Sequence, residues 1–113
     1  MHELGLAQDT LDCALQAAAR QGAGRITGLR LRIGDLSGVV PEALYFALET
    51  ILTGTPADGA RIDIERVAAV CFCPDCEAEF PVEAFVYTCP NCGRAGCDLV
   101  RGREMTLVSL EVD

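Results

Sequence analysis

The stretch Cys73-Pro74-Asp75-Cys76, answered after twelve residues by Cys89-Pro90-Asn91-Cys92-Gly93, decides what kind of fold this chain can have. Two Cys-x-x-Cys knuckles at this distance bring four thiolates to the corners of one tetrahedron, the geometry of a structural zinc site. Within each knuckle a tight turn lets two sulfurs chelate one ion. Pro74 and Pro90 fix φ just after the first ligand and bias the chain toward that turn. The competing reading is a set of structural disulfides. The spacing speaks against it, and so does the total of seven cysteines, which leaves one unpaired. Residues 70–100 therefore read as a small zinc-ribbon-like module held together by its metal.

On the amino-terminal side of the module the apolar pattern is that of an ordinary packed domain. Leu4, Ala7, Leu11, Ala14, Leu15 and Ala18 fall at three- and four-residue steps and predict one face of a helix to about Arg20, stopped by Gln21-Gly22-Ala23-Gly24. Cys13 lies roughly opposite that face with Leu6 and Ala17, as a small hydrophobe on the helix flank. Leu29, Leu31 and Ile33 alternate with Arg30 and Arg32, the period of a strand with one face on the core and one in solvent. After Gly34-Asp35-Leu36-Ser37-Gly38, Pro41 opens a second helix with the face Leu44, Ala47, Leu48, Ile51 and Leu52, ended by Gly54 and Thr55-Pro56. Phe46 points away from that face. A second strand follows the turn Asp58-Gly59, with Ala60, Ile62 and Ile64 alternating with charged residues.

Beyond the module, Thr106, Val108, Leu110 and Val112 share one side of a closing strand and Met105 and Leu107 the other, the pattern of a strand buried on both faces. The module has too few apolar residues to cover such a strand, so it is expected beside the earlier ones. The fold class that follows is α+β: two helices on a small mixed three-stranded sheet, with the zinc-ribbon-like module inserted before the last strand. The expected domains are residues 1–69 plus 101–113 for the α+β part and 70–100 for the zinc-binding module.

Composition narrows the function. The chain of 113 residues carries a formal charge of −8, and four thiolates on one Zn²⁺ would take it from −8 to −10. Phosphate backbones repel such a chain, so nucleic acid is not an expected partner. No stretch approaches the roughly 18 apolar residues of a membrane span, and no leader segment opens the sequence. The expectation is a cytoplasmic protein without a membrane partner, where thiols stay reduced and open to metal.

The single histidine, His2, stands where it can matter. A free α-amine on Met1, the backbone nitrogen of His2 and its imidazole can close adjoining chelate rings around one ion. This planar nitrogen set suits Ni²⁺ or Cu²⁺ rather than a tetrahedral Zn²⁺. The bulk of His2 should also preserve the initiator methionine.

Taken together, Met1-His2-Glu3-Leu4, the stretch from Gly34-Asp35-Leu36-Ser37-Gly38 to Tyr45-Phe46, the two knuckles, and Gly102-Arg103-Glu104-Met105 through Leu110-Glu111 resemble the HypA/HybF family of hydrogenase maturation nickel chaperones. The resemblance covers essentially the whole chain. It implies a delivery protein rather than an enzyme, with two metals: Zn²⁺ in a structural role on Cys73, Cys76, Cys89 and Cys92, and Ni²⁺ as transferred cargo on Met1, His2 and Glu3. Whether Glu3 contributes its backbone nitrogen or its carboxylate stays open. The implied activity is delivery of Ni(II) to the [NiFe]-hydrogenase large subunit with a HypB-type GTPase as partner. The hydrogenase served, urease as a second client and a homodimeric state all stay open. Cys71 and Cys97 stand beside the four ligands, and Cys71-Phe72-Cys73 raises the question of which sulfur serves. Cys73 is favoured because Cys71 cannot form a two-residue knuckle with Cys76.

Two other functions compete. Paired knuckles also build the mononuclear iron site of rubredoxin-like electron carriers, and a zinc ribbon can be a bare interaction module. Neither explains Met1-His2-Glu3 or the apolar closing strand.

Overall fold

The alternation of Leu29, Leu31 and Ile33 with Arg30 and Arg32 produces the strand around which everything else is arranged. In a computed structural model of the chain, which describes residues 2–113 and the side chains of residues 3–113, the elements run α1 (His2–Arg20), β1 (Ile26–Gly34), α2 (Pro41–Leu52), β2 (Arg61–Val67), β3 (Val70–Cys73), β4 (Ala78–Pro81), β5 (Asp98–Arg101) and β6 (Met105–Val112). They form two three-stranded sheets, ordered β2-β1-β6 and β4-β3-β5. The first is mixed, because β1 runs parallel to β2 and antiparallel to β6. A parallel pair needs a crossover, and α2 supplies it.

α1 and α2 pack on each other and cover one face of the first sheet. Ile26, Leu29, Leu31, Ile33, Leu44 and Leu48 are fully enclosed there, each worth about 1.5–3 kcal/mol in apolar burial. Ala7, Leu11, Ala14 and Ala18 bring α1 close. Thr10 is buried among them and satisfies its hydroxyl by donating to the Leu6 carbonyl at 2.8 Å. α1 ends in a Schellman motif, in which Ala23 N–H donates to Ala18 O and Gly22 N–H to Ala19 O, both at 3.0 Å, with Gly22 at φ 69°.

The opposite face of this sheet is polar, with Arg30 paired to Asp63 and Arg32 to Glu65 across the β1–β2 ladder. Arg61 reaches from β2 over the central strand to Glu111 on β6. Gly28 makes this possible, since it is the register partner of both and offers no side chain to stand between them.

Two expectations need correction. β6 is an edge strand rather than one buried on both faces: Leu107 and Leu110 pack on the core, while Met105, Val108 and Val112 are 47%, 41% and 37% exposed. β6 lies at the edge of the sheet, Met105 and Val112, the register partners of Ile33 and Ile26, stand at its two ends, and isolated exposed apolar residues are ordinary. Leu4, expected on the inner face of α1, is 45% exposed, and Leu6 packs against the core instead.

The second sheet has little to bury. Its core is Cys71, Cys73, Cys89 and Cys97 with Phe80 as the one large apolar side chain. Three four-residue strands around so small a core need a further source of stability, of the kind that a bound metal can supply.

Between the sheets the chain passes twice through a tight seam. Asp35 N–H donates to Val67 O at 2.9 Å, Leu36 N–H to Gly102 O at 2.7 Å, and Gly34 N–H to Glu104 O at 2.8 Å. Gly102 sits at φ 127°, and a Cβ there would lie 2.6 Å from Ala69 Cα. At Gly34 a Cβ would overlap the Gly102 backbone. Gly34, Asp35 and Leu36, at the start of the connection from β1 to α2, thus bond to the chain at both crossings of the seam.

Candidate metal centre

The first knuckle grows out of a strand end. Cys73 closes β3, the turn Pro74 to Glu77 follows with Glu77 at φ 52°, and Ala78 returns as the register partner of Cys73. The second is a loop turn in which Gly93 N–H donates to Cys89 O at 2.9 Å and Cys89 N–H to Arg94 O at 2.8 Å. Gly93 has φ 81°, a left-handed conformation that glycine takes without strain. An ion pair from Arg94 to Asp75, 3.0 Å long, ties the two knuckles to each other.

These turns bring Cys73, Cys76, Cys89 and Cys92 together, with all four sulfurs within 4.8 Å of one another. The Sγ atoms of Cys73 and Cys92 are 3.5 Å apart and those of Cys76 and Cys89 are 3.9 Å apart. A tetrahedral zinc with Zn–S bonds of about 2.3 Å has S–S edges of about 3.8 Å, so the donor set fits that ion in number, chemistry and span. Asn91 Nδ2 donates to Cys76 Sγ at 3.3 Å, the kind of outer hydrogen bond that holds a ligand in place. Nothing in the sequence marks Asn91 for this role beyond its place inside the knuckle.

Protonation of the cluster is uneven. The backbone N–H of Cys92 draws the Cys89 thiol down to about 7 against the opposing effect of burial, with help from the Asn91 N–H. The Arg94 N–H pulls Cys92 in the same direction, but hydrogen bonds from Cys73, Cys76 and Cys89 together with burial push it up to about 12. Cys89 thus gives up its proton readily and Cys92 with difficulty. A divalent cation bound to the sulfurs would favour the thiolate form.

Cys71 and Cys97 are not in this group. Cys71 is buried on β3 and donates to the Cys97 carbonyl at 3.6 Å, and Cys97 donates to the Arg94 carbonyl at 3.5 Å. Burial raises both thiols, Asp98 adding to the effect on Cys71 and Cys73 to that on Cys97. Cys13 is exposed on α1.

At the amino terminus, Met1 and the His2 side chain lie outside the described residues; the backbone of His2 begins α1. Glu3 is described, and its carboxylate Oε2 accepts a hydrogen bond from Val40 N–H at 3.2 Å. Val40 is the N-cap of α2 and makes no side-chain cap of its own.

Fold and site together define a small α+β protein with a four-thiol metal centre. The profile of the family described as "Hydrogenase/urease nickel incorporation, metallochaperone, hypA" matches residues 1–112, and the chain belongs to this HypA family. It is 44% identical over 113 residues to the hydrogenase maturation factor HypA of Geotalea uraniireducens, covering all of both chains. It is 46% identical over 112 residues to that of Chloroflexus aurantiacus, covering 98% of each. Among solved structures, a solution structure of a HypA protein matches with TM-score 0.73 at 26% identity, over 99% of this chain and 96% of the other. The solution structure of the Ni metallochaperone HypA from Helicobacter pylori shares the fold, with TM-score 0.69 at 24% identity over 97% and 96% of the two chains.

Proposed function

We propose that this protein is a nickel metallochaperone that carries Ni(II) to the large subunit of a [NiFe]-hydrogenase during maturation. The observation that carries this reading is the match of residues 1–112 to a nickel-incorporation family. Two metals then divide the work. Zn²⁺ is structural, held by Cys73, Cys76, Cys89 and Cys92, and supplies the stability that the small core around Phe80 lacks. Ni²⁺ is cargo, held by the Met1 amine, the backbone nitrogen and imidazole of His2, and a donor from Glu3.

The Glu3 donor is its backbone nitrogen. Its carboxylate Oε2 accepts from Val40 N–H, which ties the side chain to the start of α2. A four-nitrogen set is also the planar arrangement that Ni²⁺ favours. A chelate at a chain terminus opens by exchange with an incoming ligand set, so transfer requires contact and no bond-breaking inside the core.

This makes the protein a carrier rather than an enzyme. Its site of action is the cytoplasm, its partners are a HypB-type GTPase and the hydrogenase large subunit, and the two functional units are residues 1–69 plus 101–113 for nickel and 70–100 for zinc. Among the described residues no helix is long and apolar enough to cross a membrane.

Metal analysis of untagged protein after nickel addition and desalting tests both sites at once. About one zinc and one nickel per chain are expected. Red protein carrying iron in place of zinc would instead support the rubredoxin-like reading.

A further inference from the structure

Cys97, the sixth cysteine of the module, immediately precedes β5, where the β3–β5 register carried one residue further leads to Cys73. In the β3–β5 ladder Cys71 pairs with Leu99 and Phe72 with Asp98, and the next step of that antiparallel register sets Cys73 opposite Cys97. Side chains of directly opposed residues emerge on the same face of a sheet. Burial agrees: Cys71, Cys73 and Cys97 are enclosed in one cluster, whereas Phe72 and Asp98 between them are exposed. Cross-strand pairs have Cα atoms about 4.5–5.5 Å apart, inside the span of about 4.4–6.8 Å that a disulfide bridges. The backbone around Cys97 is anchored by its N–H donating to Tyr87 O at 2.9 Å and its carbonyl accepting from Cys71 Sγ, which holds it beside β3.

We propose that Cys73 and Cys97 form a reversible cross-strand disulfide under peroxide, which withdraws one ligand from the four-sulfur site and frees its metal. The inference rests on the zinc reading given above. Hydrogen peroxide is the oxidant: the Cys73 thiolate attacks one peroxide oxygen, the O–O bond breaks, and with one proton from solvent the products are a Cys73 sulfenic acid and one water. The Cys97 sulfur then attacks that sulfur, forming the S–S bond, while the hydroxyl leaves with the Cys97 proton as a second water. Both sulfurs are oxidised by one electron each, and a dithiol reductant reverses the change. Cys97 serves here because the other three sulfurs near Cys73 are held by the metal, while Cys97 is a sulfur of the cluster wall that the metal does not occupy.

The test treats the zinc-loaded full-length protein with hydrogen peroxide, follows zinc with a chromogenic chelator, and maps disulfides in peptides after trapping free thiols. A Cys73–Cys97 link should be the first disulfide to form, appearing in step with zinc release, and a reductant plus zinc should restore the site. Cys97→Ser should slow zinc release several-fold, whereas Cys71→Ser, which removes the other spare thiol, should release zinc at the parent rate. A first link between Cys73 and Cys92 or between Cys76 and Cys89, or unchanged release from Cys97→Ser, would overturn the proposal. Should Cys97→Ser fail to fold, the map of the parent protein decides alone. Protein that never holds zinc would instead refute the structural-zinc reading, and the metal content before peroxide separates the two failures.

Discussion

The carboxylate of Glu3, in the first turn of α1, accepts a hydrogen bond from the backbone N–H of Val40, the residue that begins α2. A valine cannot cap a helix with its own side chain, and Glu3 takes the part that a glutamate inside a capping box plays, binding the N-cap N–H from a neighbouring helix. Its negative charge also suits the positive end of the α2 dipole. The first turn of α1 is thereby tied to the start of the second helix through one side chain.

Glu3→Gln therefore keeps an oxygen acceptor for Val40 and should bind nickel as the parent does, since the proposed ligand is the backbone nitrogen. Glu3→Ala loses the bond, at a cost of about 1 kcal/mol in stability, and should also leave the chelate intact at lower temperature. Nickel titration calorimetry of the two variants checks this. Loss of nickel binding in Glu3→Gln would assign the carboxylate as a ligand.

Removing a zinc ligand should act locally. Cys73→Ala or Cys92→Ala is expected to lose zinc and loosen residues 70–100 while α1 and α2 stay formed, because the helices belong to a separate buried cluster. Helical circular dichroism and zinc content report the two outcomes independently. Global unfolding of either variant would contradict the division into two units.

The seam makes a sharper structural demand. Gly102→Ala must place a Cβ against Ala69 at a φ of 127°, and should cost at least about 2 kcal/mol in urea denaturation. Gly59→Ala is the control: its φ is 76° but nothing lies within 4 Å of the added carbon, so the loss should be about 1 kcal/mol. Equal losses at the two positions would mean that the seam is not tightly packed.

Much of this was legible in the sequence, for identifiable reasons. The periods of Leu29 to Ile33 and Leu44 to Leu52 were unambiguous because each element buries one face in a single core. The knuckles were legible because chelation demands fixed spacing. The exposure of Val108 and Val112 was not, since apolar residues on both sides of a strand do not say whether both sides are covered. Nor was the seam, which depends on which backbones meet. The proposed link between Cys97 and Cys73 needs the β3–β5 register, and strands of four residues leave no period to read.

Nickel binding should weaken steeply on acidification. The metal must displace protons from the α-amine, which titrates at about 7.7–8.0 in peptides, and from an imidazole at about 6.5. Protons compete increasingly as pH falls, so affinity is greatest above the amine value and drops between about pH 8 and pH 6. Titrations across this range check it. A dissociation constant that stays flat would exclude the amine and imidazole as ligands.

The central claim is that nickel is held by a free amino terminus, and one calorimetric comparison tests it most directly. Untagged parent protein, His2→Ala, and a form extended by residues before Met1 are titrated with nickel after their zinc content is measured. The account predicts that both changes abolish specific nickel binding and leave about one zinc per chain in place, since the first removes the imidazole and the second turns the amine into an amide. If His2→Ala binds nickel as tightly as the parent, the proposed site and the delivery mechanism built on it are wrong.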